Sequence, residues 1–477
     1  MKFVLQHLER ALRGITLALA VMLLVGAARA PLPPPVPSRC ATAPLLHPKW
    51  ANNAVAYGVA PRLFGRHPLR AVTSKLGSLK TLGVNVIWLS PVAETASGDY
   101  GYAVTDPLNV RRGLGTPDDL RALVAAAHAR GMHVLFDIPA NHLSDKSKYY
   151  VDARRRGRHS PYYAFFQHDA TGDPTHYLDW ENLENLDYAN PNVWRFELNV
   201  FRYWLETFDA DGFRADAAWA VQERAPKFWP WLNRQLKCEK PGLFMLAEAS
   251  ARDPYYSRAG FDAAYDWTKK QGQWAWNGAF DDPPDTAARL RAAIAASQNG
   301  AQPSELIFRF LDNNDTGARF VTRYGIERTR VASAMLLTLP GLPGLFTGDE
   351  IGAQFDPYKK TTPLTWSDSY GLRAWYRQLI DLRAVTPPLR SRAIRFLDIA
   401  SGSQVLAYVR PDTNGTKNVL VFLNYGSSPV RFALPSGEHS ASNGRFTDLL
   451  SGKAVSLEER HPSIVLAGYG VRILRAE

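Results

Sequence analysis

The chain has 477 residues, is 46% hydrophobic and 12% aromatic, and carries a formal net charge of +11. That is enough for a large core and more than one domain, with no short-period repeat and no low-complexity tract beyond one proline-rich stretch. The charge alone does not make a nucleic-acid binder. Residues 1–30 hold a net +3 of it (Lys2, Arg10, Arg13 and Arg29 against Glu9), and the one basic cluster, DARRRGRHS at 152–160, reads as a solvated loop without an accompanying basic stripe.

In chain order, residues 1–30 have the form of an export signal: basic residues, the apolar run ITLALAVMLLVGA at 15–27, and the small-residue pattern Ala28-Arg29-Ala30. The apolar run is too short to span a bilayer, which takes about 20 such residues. The expectation is a periplasmic or secreted protein with no membrane contact once the signal is removed. PLPPPVPSRC opens a stiff linker over 31–49. Cys40 and Cys238 are the only cysteines; in an exported chain they are either a disulfide or two unrelated thiols.

From residue 54 apolar strand-like runs alternate with amphipathic helices: AVAYGVA (54–60), VNVIWLS (84–90), MHVLFDI (132–138), DGFRAD (211–216), GLFMLAEA (242–249), FDAAYDW (261–267), ELIFRFLD (305–312) and PGLFTGDE (343–350). In TPDDLRALVAAAHARG, Thr116 is placed to cap the helix, with Asp118 and Asp119 in its first turn and Gly131 after its end. Eight strand-then-helix units predict an α/β fold, a (β/α)8 barrel over 50–141 and 191–388. A lobe at 142–190 is inserted after strand 3. After residue 388 the helical pattern stops, and QVLAYVR, KNVLVFLNYG and GVRILRA predict an antiparallel C-terminal β domain over 389–477.

Active sites of such barrels form at the C-terminal strand ends. Here those ends are polar: Asp137, Asn141 and His142 on strand 3, Arg214 and Asp216 on strand 4, Glu248 on strand 5, Asp315 after strand 7. Single acids at strand ends are often helix caps, but four such clusters on one mouth are not. Arg214 and Asp216 are two apart, so both side chains point the same way, and the guanidinium keeps the carboxyl ionised as a nucleophile requires. Glu248 ends the neighbouring strand. Strands lie about 4.8 Å apart, which fits the carboxyl spacing of about 5–5.5 Å in a retaining glycosidase. Asp315 is a third carboxylate for a cationic transition state.

These stretches resemble the α-amylase family of glycoside hydrolases (family 13) over residues 50–385. DIPANH, GFRADAAWA, MLAEA and FRFLDNND resemble its strand ends in order, and MLLTLPGLPGLFTGDEIG from Met335 resembles its strand-8 signature. The resemblance implies that Asp216 is the nucleophile, Glu248 the general acid and base, and Asp315 a clamp on ring hydroxyls. It further implies that Arg214 orients Asp216, that Tyr102 and His142 line the sugar pocket, and that Asn141 is a Ca2+ ligand where members bind calcium. No organic cofactor is implied.

Several positions depart from the family pattern. Asn314 stands where the family has His. Trp219 and Ala220 stand where it often has Lys-His. LENLD at 183–187 puts Asn185 in place of a carboxylate, and the Asp-rich loop of some members after strand 1 is missing. Asn314 and Trp219 are taken as substrate-binding residues, and Asp169, Asp173 and Asp179 as carboxylates that could join Asn141. Most aromatics of the lobe are expected to form its core. The reading is a monomeric retaining hydrolase of α-1,4-linked oligo- or polysaccharides. A transglycosylase or glucan-isomerising relative with the same acids is the nearest alternative. A non-catalytic sugar-binding accessory protein would tend to lose carboxylates, and this chain keeps all three.

Overall fold

The computed structural model describes residues 33–41, 45, 47–96, 98–281, 285–301, 305–399, 404–412, 417–434, 444–456 and 463–477; the signal-like segment 1–30 lies outside them. Eight parallel strands close into a barrel, each beside its neighbour in sequence. They are β1 (Ala56–Val59), β2 (Val86–Leu89), β3 (His133–Pro139), β4 (Gly212–Asp216), β5 (Phe244–Ser250), β6 (Ala263–Tyr265), β7 (Leu306–Phe310) and β8 (Leu342–Phe346). Five fall inside the eight apolar runs, and β3, β5 and β8 each pass the end of theirs by one residue, at Pro139, Ser250 and Leu342. Helices cover the outer face and side chains fill the inner one, so β1, β2, β4, β5, β6 and β8 are buried along their whole length. Burial on both faces is why these strands read as continuous apolar runs rather than alternating ones.

The helices follow from local chemistry. Pro117–His128 begins with a full capping box between Thr116 and Asp119. It buries Leu120, Leu123, Val124 and Ala127, the i, i+3, i+4, i+7 stripe that faces a core. Glycine matters where β4 meets β5: a Cβ on Gly212 would lie 2.2 Å from the Phe244 carbonyl oxygen. Only glycine lets these two strands press together at the base of the site.

The inserted lobe holds a helix, Lys148–Arg156, and a three-stranded antiparallel sheet of His142–Ser144, Trp180–Asn185 and His176–Tyr177. Tyr149, Tyr150 and Phe166 are buried and meet their neighbours edge to face. Trp180 is half exposed and lines the mouth of the barrel.

Among the described residues the C-terminal domain has a six-stranded antiparallel sheet and a two-stranded one. Its strand Val405–Arg410 alternates: Leu406 and Tyr408 join the barrel's core, while Val405, Ala407 and Val409 join the domain's own. Tyr408 is hydrogen-bonded to Thr338, and Arg410 to the carbonyls of Thr338 and Leu389, so the sheet is fastened to the barrel by the same face of the strand that carries Leu406.

Cys40 and Cys238 form a disulfide with a Cα–Cα distance of 5.7 Å. The arm expected as a stiff linker is pinned along its described part. Trp231 and Gln235 donate to the carbonyls of Pro34 and Pro35, and Trp50 stacks on His133 at 4.1 Å. Among the described residues no helix is long and apolar enough to cross a membrane.

Candidate active site

Strand register sets the site in two tiers. On β3, β4 and β5, Asp137 pairs with Arg214 and Arg214 with Leu246; one step on, Ala215 pairs with Ala247. Asp216 and Glu248 therefore stand side by side at the next level, above Asp137 and Arg214. Ala217, directly after Asp216, adopts a left-handed backbone (φ 44, ψ 38), a conformation that costs a non-glycine residue about 1–2 kcal/mol. It turns the Ala217 N–H onto Glu248 Oε2 at 2.6 Å. The strain thus sits between the two acids and ties one to the backbone of the other.

Arg214 is the hub. It is fully buried, and its NH1 donates to Asp137 Oδ1 (2.8 Å) and Asp216 Oδ1 (2.6 Å), while NH2 lies 3.1 Å from Glu248 Oε2. Trp88, Tyr102 and Tyr265 cage the guanidinium with ring centroids 5.4–5.8 Å away. Burial works against this charge, but Asp137 and Glu248 more than offset it and hold Arg214 above its ordinary range. Burial also pushes the Glu248 carboxyl well above the usual carboxylate range; Arg214 lowers it again, and Asp216 and Asp315 raise it further. Asp137, beneath, is raised to about 7 by burial. Glu248 is thereby shifted toward its protonated form, beside an Asp216 that has a guanidinium on its oxygen.

The four polar residues that end FRFLDNND divide the work. Asp312 accepts from the Phe320 N–H and starts the next helix. Asn313 Oδ1 accepts from the Asp315 N–H and shapes the turn. Asp315 is exposed to the cavity, and the walls around it raise its carboxyl, desolvation first, with Arg214 opposing. Asn314, expected to touch substrate, is 1% exposed and is not on the cavity wall. Its amide donates to Tyr102 Oη (3.0 Å), Asp315 Oδ1 (3.0 Å) and Tyr358 Oη (3.3 Å). Two protons shared among three acceptors make it a brace behind Asp315.

A cavity of about 870 Å3 opens over this floor. Asp216, Glu248, Asp315, Tyr102, His142 and Trp219 all line it, and Arg214 lies beneath. Tyr102 also donates its hydroxyl to Asp137 Oδ2 at 3.1 Å. Tyr177, one of the lobe aromatics expected mostly as core, completes an aromatic wall with Trp267, Trp274 and Tyr358, which the sequence did not single out. Tyr358 donates to Asp315 Oδ1 at 2.8 Å and packs on Tyr100 with centroids 4.8 Å apart. Its loop is held by Arg62, which donates to the Pro357 carbonyl. The DYGY segment around Tyr100 was the available signal for that side; the loop GAQFDPYKK carried none.

The residues named for calcium are engaged differently. Asn141 is fully buried, its Oδ1 accepts from Arg224, and its amide donates to Asn185 Oδ1 (3.1 Å). Asp169 and Asp173 are exposed and accept from Thr171 within their own turn, and Asp179 is exposed. Among the described residues no three His, Cys, Asp or Glu side chains gather as a metal would need.

Known proteins share this arrangement of chain. The α-amylase catalytic-domain family matches residues 65–368. The alpha-amylase MalA of Haloarcula japonica is 30% identical over 416 residues, which is 85% of this chain and 59% of that protein. The intracellular maltogenic amylase of Bacillus subtilis is 28% identical over 341 residues, 64% of this chain and 56% of its own. The chain thus spans a little over half the length of these two relatives. A cyclomaltodextrinase from a Bacillus species is 26% identical over 458 residues, 86% of this chain and 80% of its own. The debranching enzyme of Nostoc punctiforme superposes with a TM-score of 0.77 at 22% identity, covering 91% of this chain and all of that one, a likeness of fold.

Proposed function

Because the chain belongs to the α-amylase family, we propose that it is a glycosidase that cleaves α-glucans, α-1,4-linked starch or maltooligosaccharides, with retention at the anomeric carbon. The observation that carries this reading is one buried guanidinium holding two carboxyls, Asp216 on NH1 and Glu248 on NH2. Carboxyls on the two terminal nitrogens of one arginine favour the short spacing of a retaining pair, about 5–5.5 Å, over the 6.5–9.5 Å that leaves room for a water.

In the first step the proton of Glu248 passes to the glycosidic oxygen as the bond from that oxygen to the anomeric carbon breaks. A carboxylate oxygen of Asp216 forms the new bond to that carbon, and the shortened glucan leaves. In the second step Glu248, now ionised, takes a proton from water, and the water oxygen displaces Asp216 from the sugar. Asp315, braced by Asn314 and Tyr358, meets the ring hydroxyls. The relatives' names, alpha-amylase, maltogenic amylase and cyclomaltodextrinase, support an α-glucan substrate.

Starch, pullulan, maltotriose and trehalose are incubated with the protein, and the products are followed by chromatography and by NMR of the new reducing end. The expected result is shorter maltooligosaccharides released first as the α-anomer. Release as the β-anomer overturns retention, and no product from any of the four overturns the substrate class. Trp219, Trp267 and Trp274 on the wall can seat an acceptor sugar as readily as water, which favours transfer as the second reading; products longer than the substrate would mark it. The Cys40–Cys238 disulfide supports our inference that the protein is exported to an oxidising compartment. Recovery of the mature chain in the cytoplasm alone would overturn it.

A further inference from the structure

The oxygens at the end of β3 face an arginine. Arg224 is the last residue of the helix Ala218–Arg224 that follows β4, and it reaches three other segments. Its NH1 donates to Gln167 Oε1 (3.0 Å) and to the Leu186 carbonyl (2.9 Å), both in the inserted lobe. Its NH2 donates to Asn141 Oδ1, and its Nε donates to the Ala220 carbonyl at 3.1 Å. The guanidinium lies 5.8 Å from the Tyr188 ring centroid. A calcium ion would need about six to eight oxygens at 2.3–2.6 Å. Here Asn141 Oδ1, the family's ligand atom, is already taken by a fixed cation, and Asp169 and Asp173 are turned into their own loop. A cage of neutral oxygens suits a guanidinium, which has five donors and no acceptor.

The consequence reaches the cavity. Because a guanidinium only donates, the Asn141 atom it meets must be the carbonyl oxygen. The amide nitrogen is then the atom 3.2 Å from His142 Nδ1. That nitrogen also only donates, so Nδ1 accepts and the ring proton sits on Nε2. Among the described residues Nε2 is buried without a hydrogen-bond partner of good geometry, on a side chain of the cavity wall that also meets the Tyr102 backbone.

We propose that Arg224 is the resident cation of this position. It takes the place of a calcium ion in tying β3, the lobe and the helix after the nucleophile together. Through Asn141 it also orients His142 as an Nε2–H donor toward substrate. It is a positioning residue and touches no reacting atom.

Three measurements on the full chain test this. In the unaltered protein, EDTA and added CaCl2 leave the melting temperature unchanged, and elemental analysis finds no stoichiometric calcium. Nitrogen NMR of protein labelled with 15N-histidine, with His142 assigned by its substitution, gives the Nε2–H form. Arg224→Gln mixes the two tautomers and lowers kcat/KM on maltotriose by about 10–100-fold, the range seen when an orienting partner is lost. Arg224→Lys, which keeps a cation and three donors, restores most of both. The kinetic arm rests on the glycosidase reading; the chelation and NMR arms do not, so failure of one is distinguishable from failure of the other. A melting temperature that falls in EDTA and returns with calcium overturns the proposal. So does an Nδ1–H His142 in the unaltered protein, or a folded Arg224→Gln with an unchanged His142 signal. Should Arg224→Gln not fold, the unaltered protein and Arg224→Lys decide.

Discussion

Asn314→Asp is a sharp probe of the floor of the site, because it keeps the shape and reverses the hydrogen-bonding sense. The amide now gives its protons to Asp315 Oδ1 and Tyr102 Oη at 3.0 Å and to Tyr358 Oη at 3.3 Å. An ionised carboxylate there gives none and sets a second negative charge about 3 Å from Asp315. Coulomb's law makes that repulsion about 1.4 kcal/mol at the dielectric of water and about 5–6 kcal/mol at an effective dielectric of 20. Asp315 is exposed to the cavity, so the lower half of this range applies, with the lost amide donation added. The expected total is about 3 kcal/mol, a fall of about 100-fold in kcat/KM at neutral pH. The pair can relieve itself by binding one proton, and a protonated carboxyl donates to Asp315 much as the amide did. The variant should therefore recover as pH falls, and its optimum should move to the acid side. Steady-state kinetics on maltotriose across the pH range, with a melting curve at each point, reads both effects. A variant within threefold of the unaltered protein, with the same pH profile, would refute the brace.

Asp216→Asn, Glu248→Gln and Asp315→Asn should each lower turnover by several orders of magnitude and leave the circular dichroism melt in place, since each acts at the transition state; near-normal turnover in Asp216→Asn removes the mechanism. The burial-raised Glu248 must be protonated to act, so activity is held below its folded pKa and lost as pH rises through it. The alkaline limb of kcat/KM should thus lie well above the ordinary glutamate range, and a limb at pH 4–5 would refute the upward shift of Glu248. Cys40→Ser should cost about 2–4 kcal/mol of stability, because the bridge closes a long loop and holds the arm to the barrel. Denaturant unfolding measures it, and a midpoint equal to that of the disulfide form would count against a structural role.

The parts of the molecule legible in the sequence are those whose cause is local. Eight strands stood out because burial on both faces writes a continuous apolar run, and the acids stood out because each follows such a run. The parity of Arg214 and Asp216 placed both on one face before any coordinates. What was not legible depends on partners distant in the chain. Asn141 offers a carbonyl oxygen that suits calcium or a guanidinium alike, and the choice is made by Arg224, 83 residues later. Asn314 could as well have faced a sugar; it is drawn back by Tyr102 and by Tyr358, the latter on a loop 44 residues on. The pairing of Cys40 with Cys238 crosses 198 residues and had no local signature at all.

The balance of charge around Arg214 bears on what else the mouth would hold. One guanidinium faces Asp137, Asp216, Glu248 and Asp315. Even with Glu248 protonated, the negative groups outnumber the positive one. A neutral sugar gains little from that excess, while a ring carrying positive charge near its anomeric end gains a great deal. A sugar mimic with a protonated ring nitrogen would therefore be retained more tightly than the glucan it imitates. Its grip would weaken from both directions, as acid neutralises the carboxyls and as base neutralises the amine. In this sense the mouth discriminates by charge before it discriminates by shape.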